Sequence, residues 1–438
     1  MRITADFHIH SRFSRACSKE LTLPSIAQTC AVRGIDVCVT GDFTHPVWRK
    51  EISEQLVERA EGVYELQAST PSGSPSRMEG EQGNMTRFLL GTELSCIYKH
   101  NGKTRRVHHL VIAPSLQAID RIIATLEKQG RNLKADGRPI LGLPSKDLLE
   151  LCLTADERTL VIPAHAWTPW FAIFGSESGY DSIEECFEDL APHVLAVETG
   201  LSSDPPMNWR CSQLDRVALV SSSDAHSLQK LGREATVLDV EALTFTNVRE
   251  AIRNGAPARY DARNANRIVQ TIEFFPEEGK YHADGHRVCN VRCTPRETKR
   301  WNACCPQCKK PMTVGVCSRV DKLADREGGF IPPRAPSYTS IVPLIEVIME
   351  AFAVKSLTSR VRACYDTLTT NIGNEFHVLL DAPLADIARV APPEVTEAIR
   401  RVRAHELDIA PGYDGEFGTV RIFSDAHPRP AAQQRVLL

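Results

Sequence analysis

The chain has no apolar run approaching the roughly 18 residues that a membrane-spanning helix needs, so a bilayer is not an expected environment. It also lacks the basic-then-apolar opening of a secretion signal, because Asp6 and His8 interrupt the first apolar run almost at once. The expected location is the cytoplasm. Net charge is close to absent, −3 over 438 residues, so the molecule as a whole does not advertise a nucleic-acid partner, and any basic surface must be local. There is no internal repeat. Nor is there a Gly-x-Ser-x-Gly turn to present a serine nucleophile. Most of the 14 cysteines are scattered singly (Cys17, Cys30, Cys38, Cys96, Cys152), as buried thiols of a reducing compartment would be. Six crowd between Cys289 and Cys317 and need a separate account.

What is present is ordinary for a globular protein, 42% hydrophobic and 24% charged residues. The length exceeds one common core and predicts two or three domains. Up to about residue 260, short β-type runs (2–10, 35–40, 87–94, 107–113, 160–165, 194–199 and 218–223) alternate with helical stretches such as 23–33, 116–129 and 183–190. Such alternation predicts a parallel α/β sheet or barrel. Residues 67–84, rich in Ser, Gly, Pro and Glu, read as a flexible excursion. From about 266 the texture turns to cysteine and basic residues. After Pro336 it becomes helical, with apolar residues at helical spacing in 340–352 and 395–404, and the tail beyond Ala426 reads as loose.

The β-type runs share one property. Most carry a potential metal ligand at or near an end: His8 and His10; Asp42 and His45; Glu93; His108 and His109; His165; Asp224 and His226. Two residues apart on an extended backbone, His8 and His10 project from one face. A parallel barrel gathers its strand C-termini on one face, where active sites sit, so these residues are expected to converge on a polynuclear metal site. Imidazole and carboxylate donors without thiolate suit Zn, Mn or Fe, and clustered metals suit phosphate-ester hydrolysis.

Asp6-Phe7-His8-Ile9-His10, Gly41-Asp42 with a following His45, Gly91-Thr92-Glu93, a mid-chain His165 and Ser223-Asp224-Ala225-His226 resemble the PHP (polymerase and histidinol phosphatase) superfamily. The resemblance implies a distorted seven-stranded β/α barrel holding two or three divalent ions (Zn, Mn or Mg). Its ligands would be His8, His10, Asp42, Glu93, His109, His165, Asp224 and His226, with His45 joining them across the intervening Phe43 and Thr44. His109 is chosen over His108, which would then be a surface or supporting residue. Asp42, Glu93, Asp224 and His226 would carry the catalysis. Longer stretches, namely 10–15, 40–46, 165–170 and 198–204 together with the cysteine module, are similar to one PHP family, endonuclease Q. That similarity implies nicking of double-stranded DNA on the 5′ side of a deaminated base (uracil, hypoxanthine, xanthine) or an abasic site. It leaves room for a sliding clamp as a further partner, and it implies a monomer in a prokaryotic cytoplasm, associated with the nucleoid. The competing expectations are a small-molecule phosphoesterase of the histidinol-phosphatase type and a non-catalytic DNA-binding protein on a relic barrel.

Several further residues acquire meaning beside such a centre. Arg15, among the cations that follow His10, could hold phosphates next to the scissile one. Trp167, Trp170, Phe171 and Phe174 fall at helical spacing, as a buried stripe would, yet a lesion enzyme must also hold an extruded base against apolar walls. Trp167, Trp170 and Phe171 are therefore candidate lesion contacts. Ser202 and Ser203 could read a base edge or cap the following segment, and Glu198 could be a further ligand or support one. In the cysteine module, His286-x2-Cys289 and Cys305-x2-Cys308 have the spacing of a structural zinc site, with Cys293, Cys304, Cys317 and His282 as nearby alternatives. Residues 282–310 carry a charge of +5, a local basic patch suited to a nucleic-acid backbone. The expected organisation is a metallophosphoesterase barrel over 1–265, a zinc-binding module over 266–328 and a helical C-terminal domain over 329–438.

Overall fold

The computed structural model describes residues 1–67, 86–424 and 429. Of the expected excursion at 67–84 all but Gln67, and of the expected tail beyond Ala426 all but Arg429, lie outside the described residues.

Sixteen strands are described. In the first part of the chain they are β1 (Arg2–Asp6), β2 (Val37–Val39), β3 (Leu56–Ala60), β4 (Val63–Leu66), β5 (Arg87–His100), β6 (Lys103–Ala113), β7 (Leu160–Pro163), β8 (Ala196–Glu198), β9 (Ala218–Val220), β10 (Ala235–Asp239) and β11 (Arg267–Glu273). The others are β12 (Asp284–His286), β13 (Val291–Cys293), β14 (Ser337–Ser340), β15 (Asp408–Ala410) and β16 (Thr419–Arg421). β1, β2 and β5 pair in parallel, as do β8 and β9. The expectation of a parallel arrangement fails in between. β5 and β6 form one long antiparallel hairpin, and β7 pairs antiparallel with β6. Only two residues, Asn101 and Gly102, join β5 to β6, which leaves no chain for the helical crossover that a parallel pair requires. A lone parallel bridge from Ile9 to Ala225 brings the segment after β9 back beside the extension of β1. β10 and β11 continue outward from β1, and β14 adds a strand to β11 from far along the chain.

Helix Leu23–Arg33 illustrates the local rules. The Thr22 hydroxyl accepts from the Ser25 amide, Pro24 sits in the first turn, and Gly34 closes the helix in the left-handed region. Its buried face (Leu23, Ile26, Ala27, Cys30) joins an apolar core that runs without a break from the strands into helices Leu344–Ala351 and Pro393–Arg403. Buried Glu375 ties these parts together. It accepts from Arg33 on the first helix, from the Leu344 amide at 2.8 Å and from the Tyr365 hydroxyl at 2.7 Å. The cysteine-rich segment is anchored by Arg319 of helix Val316–Leu323, a buried guanidinium that donates to the carbonyls of Phe174 and Tyr180 (both 2.8 Å) and to Asp181 (2.7 Å). It therefore leans directly on the aromatic loop 165–181. No helix among the described residues is long and apolar enough to cross a membrane.

Candidate metal centre and nucleic-acid cavity

Strand ends and the long β5 deliver the donors. His8 and His10 follow β1, Glu93 lies within β5 and Asp224 follows β9. The separations are 3.4 Å from His8 Nε2 to Glu93 and 3.5 Å to Asp224, and 3.2 Å from His10 Nε2 to each carboxylate. Both Nε2 atoms and Asp224 Oδ1 are buried without a hydrogen-bond partner. An ion with tetrahedral bonds of about 2.0–2.1 Å holds its donors about 3.3 Å apart, so these spacings fit a divalent cation. A second group joins the first through Glu93, whose Oε1 lies 2.6 Å from His108 Nδ1 and 3.2 Å from His165 Nε2. One carboxylate thus faces both groups, an arrangement suited to a pair of ions.

Carboxylates behind the imidazoles aim them. Glu198 lies 3.1 Å from His8 Nδ1, and Asp42 lies 3.2 Å from His10 Nδ1. Each leaves Nε2 for the cluster, the usual support of a metal-binding histidine. Asp42 is fully occupied in this task, because its other oxygen accepts from the Ser11 amide and hydroxyl (both 2.7 Å) and the Ser14 hydroxyl (2.9 Å). Gly41 makes the placement possible. At φ +65°, a Cβ there would stand 2.7 Å from the Ile9 carbonyl. Asp42, His165 and Asp224 all adopt positive φ without being glycine, a concentration of backbone strain typical of functional sites.

Electrostatics agree. Burial opposes charge on His8 and His10, yet the carboxylates around them outweigh it and raise both well above the ordinary imidazole range. Burial likewise opposes ionisation of Asp224, but His8 and His10 hold it far below the usual carboxylate range. A pocket this rich in carboxylate, with Arg138 paired to Glu93 at 2.9 Å, calls for additional positive charge. Burial above all pushes His108 down to about 4, so its imidazole is neutral and can ligate.

The remaining expected residues divide. His109 is a correction. It points away from the cluster, with Nε2 2.8 Å from the Ser145 hydroxyl and its ring edge-on to Phe187, while its neighbour His108 faces the donors. Asp42 supports His10 rather than joining the donor group. His45 stacks on Phe13 at 4.4 Å and lies outside both groups. His226 sits 4.5 Å from the His10 ring, half-buried, with Nδ1 2.9 Å from the Asp224 carbonyl, also outside the groups.

An open cavity of about 630 Å³ adjoins this centre, and Asp224, His108, His165 and Arg138 are among its lining. Arg15, Trp170, Phe171 and Ser202 line it, as do Tyr281 and Phe417 from beyond residue 266. Residues 165–181 form turns rather than a helix, so the aromatic stretch divides. Trp167 is a correction: it is buried against Phe174, its indole N–H donating to Asn208 at 2.7 Å. Ser203 is another, buried with its hydroxyl donating to the Thr199 carbonyl at 2.8 Å. Sequence reasoning passed over Arg138, on a loop with no periodic pattern to flag it. It weighed Glu198 without including it in the chosen set, although the position at a run end pointed there.

In the cysteine-rich segment, His286, Cys289, Cys305 and Cys308 place their donors within 4.8 Å of one another. Burial opposes a thiolate at Cys305, but the backbone amides of Cys308 and Gln307 bring it down to about 7. The alternatives point elsewhere: Cys293 to Met312 at 3.6 Å, and Cys317 to His282 at 3.2 Å.

A family model described as PHP-associated matches residues 211–257, and one described as the MJ0043 C-terminal domain matches 343–406. Two solved structures align with the chain at TM-score 0.81 and 29% identity. One is the lesion-specific endonuclease PfuEndoQ of Pyrococcus furiosus, with 96% of this chain and 95% of that one covered. The other is an endonuclease Q complex with a 27-mer duplex substrate carrying an abasic lesion at the active site, with 99% and 100% covered. The chain has the endonuclease Q architecture from end to end. Among proteins similar to this endonuclease Q relative, YqxK of Bacillus subtilis is 28% identical over 435 residues, covering 96% of this chain and 99% of that protein. MJ0043 of Methanocaldococcus jannaschii is 30% identical over 264 residues, and the match spans 58% of this chain but only 31% of MJ0043.

Proposed function

We propose that this chain is a metal-dependent DNA repair endonuclease that hydrolyses the phosphodiester on the 5′ side of a deaminated base or an abasic site. The observation that carries this reading is the His8, His10, Glu93 and Asp224 cluster, which meets through Asp224 a cavity lined by Trp170, Phe171 and Tyr281, on a chain alike throughout to an endonuclease Q solved on a lesion-bearing duplex.

The seven strands β1, β2 and β5–β9 are read as the staves of a distorted barrel. It occupies 1–265, with a zinc module over 266–328 and a helical domain over 329–438. The active-site donors would be His8, His10, Glu93, Asp224, His108 and His165, holding two or three ions (Zn, Mn or Mg). Such ions, when bound, supply Lewis acidity toward a phosphate oxygen and an activated water. The protein's own part is positional. Glu198 and Asp42 keep two imidazoles from rotating, and Glu93 holds both donor groups in register. His226, its Nδ1–H donating to the Asp224 carbonyl at 2.9 Å, presents Nε2 as an acceptor that can take a proton from an attacking water. Arg15, exposed at the rim, suits a flanking phosphate, while Trp170 and Phe171 give an extruded base apolar faces and Ser202 a polar edge.

A single structural zinc on His286, Cys289, Cys305 and Cys308 would stiffen the module. The seven cations of residues 282–310 (Arg287, Arg292, Arg296, Lys299, Arg300, Lys309 and Lys310) are all exposed; Lys299 pairs with Asp321 at 2.5 Å, and Arg292 and Lys309 donate to the carbonyls of Pro411 and Pro306, both at 3.0 Å. The rest are available to duplex phosphates. The test is incubation with a divalent metal and a duplex bearing one uracil or hypoxanthine. A nick 5′ of the lesion is expected, and it should vanish in Asp224→Asn while duplex binding persists. Phosphate release from small monoesters alone would assign the centre to a histidinol-phosphatase-type enzyme. Duplex retardation without cleavage would make the chain a binding protein.

A further inference from the structure

We propose that Phe417 fills the base stack at the position an extruded nucleotide leaves, and so allows this site to act on paired DNA; the inference rests on the nuclease reading above. The ring is 75% exposed. Exposed apolar side chains scattered singly need no explanation, but a group of them does. Of the ten large hydrophobic side chains exposed among the described residues, three line the one cavity above the donor cluster: Phe417, Ile140 and Trp170.

Phe417 is held out rather than left loose. It lies between β15 and β16, in a turn bonded at several points to fixed backbone. The Gly412 amide donates to the Glu277 carbonyl at 2.8 Å, Gly415 to Lys280 at 2.9 Å and Gly418 to Glu278 at 3.1 Å. Gly418 must be glycine, because a Cβ there would stand 2.1 Å from the Glu277 carbonyl. Asp414 accepts from the Arg287 amide at 2.7 Å, and the Tyr413 hydroxyl donates to Asn290 at 2.8 Å, so the turn is pinned to the zinc module as well. A solvent-facing phenylalanine on so fixed a mount serves an apolar partner outside the protein.

The neighbours say what kind. Trp170 meets Tyr281 edge-on at 5.2 Å, and Phe171 packs on His108 at 4.8 Å, so those rings belong to the wall. Phe417 has no ring contact among the described residues, and its near companion is the Lys280 ammonium, 5.8 Å from its centroid. A free aromatic face beside a cation, at the rim of a cavity that ends in metal donors, matches a base stack with its phosphate alongside. Extruding a nucleotide from a duplex breaks stacking on both sides, and an inserted ring restores some of it. A single strand has no such gap to fill.

The experiment uses the full chain with its metals and two substrates: a duplex with one uracil and the same strand unpaired. Phe417→Ala should slow single-turnover nicking of the duplex by about 10- to 100-fold and leave the single strand within about twofold. Phe417→Trp should restore the duplex rate. A 2-aminopurine beside the lesion should brighten on binding the wild-type chain and stay quenched with Phe417→Ala. Unchanged metal content and circular dichroism show that the variant is folded. Equal losses on both substrates, or no loss on the duplex, would overturn the inference. A wild-type chain that nicks neither substrate overturns the nuclease reading, and this inference with it.

Discussion

At the scale of single residues, the centre turns on a parity that composition does not reveal. His108 and His109 are adjacent on β6, so their side chains point to opposite faces. Which one faces the metals depends on the register of β6 against β5, where Glu93 opposes Leu110 and His109 opposes Leu94. A one-residue slip would exchange them, and nothing local forbids it. His8, His10, Glu93 and Asp224 were legible because each lies at or near the end of an apolar run. Arg138 was not, since it arrives on an irregular loop. The two histidines should therefore respond differently to truncation. His108→Ala should cut kcat for lesion nicking by about 100-fold or more, the scale of losing a ligand or its support, with little change in melting temperature. His109→Ala removes a fully buried ring bonded to Ser145. It should cost roughly 2–4 kcal/mol of stability while the folded fraction keeps its kcat. Parallel melting curves and active-site-normalised rates decide. The opposite pattern would put His109 back in the site.

At the scale of elements, sequence reading worked where one face of a segment is buried and failed where the chain turns. Helix Leu23–Arg33 matches the expected stretch to the residue, and Thr22, Pro24 and Gly34 fix its ends. The aromatic stretch 165–174 imitates a helical stripe. His165 at positive φ at its start and glycines at its end break it into turns, so Trp167 packs inward while Trp170 reaches the cavity. The hairpin β3–β4 has no partner signal of its own and went unread. The convergence of His286, Cys289, Cys305 and Cys308 was legible from their spacing alone, because two short knuckles are set by local geometry. The stability of this segment has a local source too, since beyond these four its own core is small (Val291, Cys293, Met312 and partly buried Trp301). Cys305→Ser should therefore abolish metal binding at this site, seen as loss of one equivalent of zinc by chromogenic titration, and melt this segment while the main transition persists. A single cooperative transition lowered as a whole would contradict that independence.

At the scale of the whole molecule, two fields can be separated. One lies behind the site. Burial, before the charge of its neighbours, lifts the Glu273 carboxyl from its ordinary 4.5 to about 8, Glu278 to about 7 and Asp204 to about 6. The folded chain keeps these protons through a range where the unfolded chain has already lost them. Stability is thus full below the ordinary carboxylate range, falls as pH rises through these values and levels off above about 8. Chemical denaturation of metal-loaded protein at about pH 5 and about pH 8.5 should show that fall. Glu273→Gln, which cannot ionise, should flatten it, and an unchanged slope would clear Glu273.

The other field faces outward, and the arginines of the C-terminal helices are largely engaged with partners of their own. Arg360 pairs with Glu394, Arg389 with Asp386, Arg400 with Glu397 and Glu406, and Arg401 with Glu397, while Arg403 donates to the carbonyls of Leu379 and Val378. The cations of residues 282–310 are exposed, and among them Lys299 is the one that forms an ion pair. Affinity for duplex should therefore depend on salt through the module rather than the helices. Replacing Arg296 and Arg300 with alanine should lower the slope of log K against log salt by about 2, equally for every lesion. Arg400→Ala should leave that slope alone and lower the melting temperature instead. If the Arg400 variant carries the larger change in slope, the helices and not the module hold the DNA.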